Sequence, residues 1–195
     1  MVAGRTATVF ASLSRLLADV LSPLHHPRTR SLTVRRGDGR TTALRIAIAA
    51  DHAGYPLKPV LVSDLRAAGH DVADLGTNDP SVPSDYPEVA QRLCEAVLDA
   101  RAERAIALCG SGVGVGVAAN KFPGIRAGVC HDHYSAHQAV EHDDMNVLCI
   151  GARVVGEALA RDLVRAFVEA RFSGEERHVR RLGQIGAIEK RFLKA

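Results

Sequence analysis

Apolar residues in this chain gather in short runs, separated by longer stretches in which apolar and polar positions recur with helical spacing. The runs at 45–50, 72–75, 105–108, 126–130 and 147–150 read as strands. A brief apolar run bounded by turn residues is what a strand covered on both faces requires. Helical patterns occupy 56–68, 87–100, 134–142, 157–172 and a basic stretch at 175–192. Pro56 and Pro87 sit where a helix tolerates a missing N–H, and Gly69 sits where one stops. Strands alternating with helices predict an α/β fold of three layers, a five-stranded parallel sheet covered on both faces and Rossmann-like in outline. No internal repeat is present.

The pattern begins only near Leu44. Residues 1–44 are rich in Arg, Ser and Thr, with seven Arg against Asp19 and Asp38, a balance of +5. The rest of the chain holds 18 basic and 20 acidic residues, a balance of −2, so the net +3 comes from this leader. Two readings fit it: an organelle transit peptide, or a disordered extension with one amphipathic stretch near 13–21. Either way the expected domain is 45–195. Its mildly acidic balance, with aromatics at 4% and no Trp, argues against stacking on nucleic acid. No run of about 18 apolar residues suggests a membrane span. Cys94, Cys109, Cys130 and Cys149 show neither C-x-x-C pairing nor zinc spacing, which points to a reducing, cytoplasmic setting.

The chemistry concentrates in 104–121. The central strand ends in Cys109, and Gly110, Gly112, Gly114 and Gly116 lead into an Ala-rich helical run. A glycine turn from strand to helix aims main-chain N–H groups outward at the positive end of the helix dipole. That arrangement cradles an anion and would favour the thiolate of Cys109. The loop contains no G-x-G-x-x-G and no lysine of a phosphate-binding G-x-x-x-x-G-K-[ST], which argues against dinucleotides and nucleoside triphosphates. Val115 stands where a cysteine phosphatase would need arginine. A tight turn with an inert buried cysteine remains the plain alternative.

Ligands of parallel sheets bind off the carboxyl ends of the strands. Asp51 and His52 follow the first strand, Cys109 the third, Cys130, His131, Asp132 and His133 the fourth, and Arg153 the fifth. Solvated loop ends would also be polar. His133 and His137 share a helix face, but no H-E-x-x-H accompanies them, so a metal centre is not expected. Arg177 and Arg181, at i and i+4, could clamp a phosphate or form a solvated basic face.

Taken in order, Asp51-His52-Ala53-Gly54, Asp85-Tyr86-Pro87, Cys109-Gly110-Ser111-Gly112-Val113-Gly114, Ala119-Asn120-Lys121, Gly124-Ile125-Arg126-Ala127 and Gly151-Ala152-Arg153-Val154-Val155-Gly156 resemble the type B ribose-5-phosphate isomerases. These belong among the ribose- and galactose-phosphate isomerases. The resemblance covers about 45–192 and implies a cofactor-independent aldose–ketose isomerase working through an enediolate in the pentose phosphate pathway. It implies that Cys109 is the base, with Ser111 and the amides of Gly110, Gly112, Val113 and Gly114 holding the oxyanion and substrate. It places Asp51 and His142 at ring opening, and His52, Arg153, Arg177 and Arg181 around the phosphate. Tyr86 and Asp143 would line the sugar site, and the family's sites are shared between subunits of a homodimer or larger homo-oligomer. The family often has Asn at the position of Asp143 and Thr at that of Ser111. Another sugar phosphate (allose, galactose or a tetrulose), a non-catalytic phosphosugar-binding module, and a thiol redox protein are the rival readings.

Overall fold

The computed structural model describes residues 43–193. The leader at 1–42, including the stretch near 13–21, lies outside the described residues. Five parallel strands, β1 (Arg45–Ala50), β2 (Asp71–Asp74), β3 (Arg104–Cys109), β4 (Ala127–Val129) and β5 (Val147–Gly151), form one sheet in the order β2-β1-β3-β5-β4. Helices α1 (Lys58–Ala67), α2 (Tyr86–Leu98), α3 (Val113–Ala119), α4 (His133–Asp143), α5 (Glu157–Glu169) and α6 (Glu176–Phe192) complete the fold. This is the expected three-layer α/β architecture. None of these helices is long and apolar enough to cross a membrane.

The central strands are buried on both faces, yet their residues alternate in size. Ile46, Ile48, Ile106, Leu108, Leu148 and Ile150 pack with Leu61 and Leu65 of α1 and Leu163 and Phe167 of α5. Ala47, Ala49, Ala105, Ala107, Cys109 and Cys149 pack with Val89 and Leu93 of α2 and Val115 and Ala119 of α3. Successive side chains of a strand point to opposite faces. The sheet therefore has one face of large aliphatics and one of Ala and Cys, and Cys109 belongs to the second. The edge strands are more open: in β2 only Val72 is buried, and β4 is a three-residue strand with no fully buried position.

Several boundaries differ from expectation. Pro56 lies in a short 3₁₀ turn, Tyr55–Leu57, and the α-helix begins at Lys58. The Asp51 carbonyl takes the N–H groups of Gly54 and Tyr55, which tightens the chain into that turn first. α5 ends at Glu169 rather than 172, because Ala170 is extended and the Phe167 and Ala170 carbonyls are taken by the Arg104 guanidinium. α4 starts at His133, where Asp132 accepts the Ser135 N–H at 2.8 Å as an N-cap. α6 differs in kind from the rest: His178 is its one buried residue, while Val179, Ile185, Ile188 and Phe192 are exposed.

Candidate active site

β2 and β3 lie on opposite sides of β1. The chain therefore leaves the tips of β1 and β3 in different directions, and a crevice opens between them. Asp51 follows β1 directly, is buried, and accepts the Gly54 N–H through Oδ1 at 2.7 Å. Its own N–H donates to the Leu108 carbonyl at 3.0 Å, tying the turn to β3. Gly54 has no alternative here: a Cβ would come within 2.4 Å of the Leu108 carbonyl carbon and oxygen. The His52 main-chain N–H donates to Ser84 Oγ at 3.0 Å, and the Ser84 N–H points at His52 Nδ1 from 3.4 Å. A backbone N–H can only donate, so neutral His52 carries its proton on Nε2.

Across the crevice Cys109 ends β3, 4% exposed, and its Sγ accepts the Gly112 N–H at 3.0 Å. Gly112 is left-handed at φ 79°, and a Cβ there would meet the Ile150 carbonyl carbon and Gly151 nitrogen at 3.1 Å. The glycine loop is thus wedged onto the end of β5, and the Ala152 and Arg153 N–H groups donate to the Cys109 and Gly110 carbonyls at 2.9 and 3.0 Å. The Val113 N–H reaches Ser111 Oγ at 3.3 Å. The Tyr86 ring, at the start of α2, lies over Gly114. Between these groups is an open cavity of about 410 Å³, lined by Asp51, His52, Ala53, Tyr86, Cys109, Gly110, Ser111, Gly114, Arg153 and Val154.

The other cysteines have a different environment. Burial pushes the Cys94 thiol up to about 12 and the Cys130 thiol up to about 11, with Glu95 and Asp132 adding to the rise. Cys149 is driven up as well, by burial first and then by the neighbouring cysteines. None of these three lines the cavity.

The structure therefore brings together eight of the residues expected at the site, Asp51, His52, Tyr86, Cys109, Gly110, Ser111, Gly114 and Arg153. Gly112 sits behind the sulfur, and the Val113 side chain is exposed. His142, Asp143, Arg177 and Arg181 do not reach this cavity. His142 is near the end of α4 and stacks on His178, ring centroids 4.1 Å apart. Asp143 borders a separate hollow of about 310 Å³ with Met145 and Ile185. Arg177 pairs with Glu175 at 2.8 Å, and Arg181 is exposed. Among the described residues no three His, Cys, Asp or Glu side chains gather as a metal centre needs. His131, read among the rim histidines, accepts the Gly151 N–H through Nε2 at 3.0 Å.

Sequence reasoning missed Ser84, which orients His52 from 32 residues away. It also missed Gln138, which bonds His142, His178, which stacks on it, and Ser173, which holds His178. The Asp85-Tyr86-Pro87 motif lies next to Ser84, while Arg177 and His137, both singled out for other reasons, lie next to His178 and Gln138.

Comparison with known proteins follows the same strands. Residues 46–185 match the model of the Ribose/Galactose Isomerase family. Ribose-5-phosphate isomerase B of Escherichia coli is 44% identical over 147 residues, 75% of this chain and 97% of that protein. D-erythrulose-4-phosphate isomerase 2 of Mycolicibacterium smegmatis is 40% identical over 149 residues, 75% of this chain and 98% of the relative. The solved ribose-5-phosphate isomerase B of Clostridium thermocellum superposes with a TM-score of 0.74 at 44% identity, covering 76% of this chain and 99% of that one. That of Mycoplasma genitalium, solved with bound ribulose-5-phosphate, gives 0.71 at 37% identity, covering 75% and 96%. The likeness thus includes the strand tips and turns that enclose the Cys109 cavity, and on it the chain belongs to the Ribose/Galactose Isomerase family and is an isomerase of the ribose-5-phosphate isomerase B kind.

Proposed function

We propose that the enzyme interconverts ribose 5-phosphate and ribulose 5-phosphate through an enediolate, with no cofactor. The observation that carries this reading is the Cys109 sulfur at the mouth of a glycine loop, beside Asp51, His52 and Arg153 in one cavity. Ribose 5-phosphate is mostly cyclic in water, so its ring opens first. Asp51 and His142 move a proton from the anomeric hydroxyl to the ring oxygen as the C1–O bond breaks. The Cys109 thiolate then takes the C2 proton, and the electron pair moves to O1. Glycine-loop N–H groups and Ser111 hold that oxyanion, without which a carbon-bound proton is too weakly acidic to remove. A proton passes from the C2 hydroxyl to O1, and returning the Cys109-held proton to C1, as the C2–O bond becomes a carbonyl, gives the ketose. His52 and Arg153 anchor the phosphate, whose binding energy orients the reacting carbons.

The remaining phosphate and ring-opening groups come, on this reading, from a second copy in a homodimer. His142, Arg177 and Arg181 lie away from their own chain's cavity. α6 also exposes Val179, Ile185, Ile188 and Phe192, an apolar face that a lone chain would leave in water. The four free cysteines support a reducing compartment such as the cytoplasm.

A second reading, a four-carbon ketose phosphate, is favoured by two observations. Asp143 presents an acceptor-only carboxylate where the family often has an amide, and relatives at 40% identity are named D-erythrulose-4-phosphate isomerases. Turnover of ribose 5-phosphate, set against erythrulose 4-phosphate and allose 6-phosphate, tests both. Cys109→Ala should lower kcat about 10³-fold while leaving phosphate-ligand binding in place. A variant as active as the wild type would remove Cys109 from the chemistry.

A further inference from the structure

His142 and His178 stack between α4 and α6 with ring planes 29° apart, but the two rings are held in different ways. His178 is 1% exposed. Its Nδ1 lies 2.6 Å from Ser173 Oγ, and that oxygen also accepts the Glu175 N–H at 3.2 Å. Its Nε2 is buried and finds no hydrogen-bond partner among the described residues. Burying an unpaired ring nitrogen opposes folding. Stability alone would be better served by an apolar side chain there. The partly exposed His142 is tied at one end only: its Nδ1 is 2.6 Å from Gln138 Nε2, one helical turn back on α4. The Gln138 amide can donate or, turned over, accept. Nδ1 is therefore partnered in either protonation state of the ring, and Nε2 is the atom left for substrate.

Resting on the isomerase reading, we propose that His178 is a positioning residue for His142, a buried plate tethered by Ser173 that fixes the plane of the His142 ring for opening the sugar. The plate has to be neutral, since a cation 4 Å away would oppose each protonation of His142. The surrounding groups favour this. Burial holds His178 below the usual imidazole range, and His142, Arg177 and Arg181 push the same way, with Glu175 opposing them. On α4, Glu141 approaches His142 Nε2 to 3.9 Å and His137 Nδ1 to 3.7 Å.

Two full-length variants of similar bulk separate positioning from packing: His178→Phe keeps a flat ring, His178→Leu does not. Two readouts are taken. The first is the ring-proton shift of His142 by NMR, which needs no turnover. It should be displaced by the stacked ring in wild type and His178→Phe, and not in His178→Leu. The second compares net conversion with C1 hydrogen exchange into ribulose 5-phosphate in deuterated water, a step that does not require the closed ring. His178→Phe should keep net conversion within about threefold of wild type, whereas His178→Leu should lower kcat about 10- to 100-fold with KM little changed and exchange retained. Phe and Leu variants that behave alike, or exchange that falls in step with conversion, would overturn the proposal. A wild-type chain inert toward every phosphosugar, with the ring shift still present, would bring down the isomerase reading and the proposal with it.

Discussion

The cavity at the tips of β1 and β3 and the histidine stack beneath α6 contain the two halves of the expected site, and they are built by opposite means. The cavity is fixed by main chain. Gly54 leans on the Leu108 carbonyl, Gly151 on the Ser111 carbonyl, and the Arg153 N–H on Gly110. Each contact joins neighbouring strand tips of one sheet, so a single chain completes this half. The stack hangs on a helix with one buried residue and an exposed apolar stripe. A helix so placed gains little from its own chain, and its arginines lie away from their own chain's cavity. Close backbone packing makes a binding half that is rigid by itself, whereas the peripheral helix makes a half that, on the homodimer reading proposed above, a second copy would complete.

The largest effect should come from breaking the first region. In Gly54→Ala the new Cβ would sit 2.4 Å from the backbone of Leu108, and no flexible side chain can yield there. Overpacking of this kind should lower stability by about 3 kcal/mol, read by denaturant titration, with activity lost alongside it. Breaking the second region should leave the fold alone. Ile188→Asp, at a position 60% exposed, should keep the melting temperature of the chain's core nearly unchanged. Light scattering should then show monomers, and activity should fall about 10- to 100-fold because half of each site is removed. A monomeric but fully active variant would show that each chain works alone. The smallest and sharpest signal comes from mixing. Cys109→Ala and Arg181→Ala chains, each inactive, should regain about a quarter of wild-type activity after subunit exchange, since half the dimers are hybrids with one intact site of two. No recovery would mean that both groups act within the same chain.

The same contrast sets how much was legible beforehand. Cys109 and Gly112 are three residues apart, so their contact follows from the local turn, and motif reading found it. Asp51 with Gly54 is equally local. The pairing of His52 with Ser84 joins residues 32 positions apart and has no local signature. The His142–His178 stack likewise exists only because α6 returns across α4. Boundaries slipped at Pro56, where the Asp51 carbonyl closes a local turn, and after Glu169, where the long-range contact with Arg104 overrides the helix signal.

By itself the sequence determined that the apolar runs of β1, β3 and β5 become buried strands, because such a run can be satisfied only between two layers. It also determined that a thiol meets a glycine loop, because both lie on one continuous turn. Only the tertiary structure decided which tips share a crevice, since strand order is set by how whole helices pack on the two faces of the sheet. The separation of His142, Arg177 and Arg181 from the cavity was decided there too: local spacing puts residues on a common face but cannot say which face meets which.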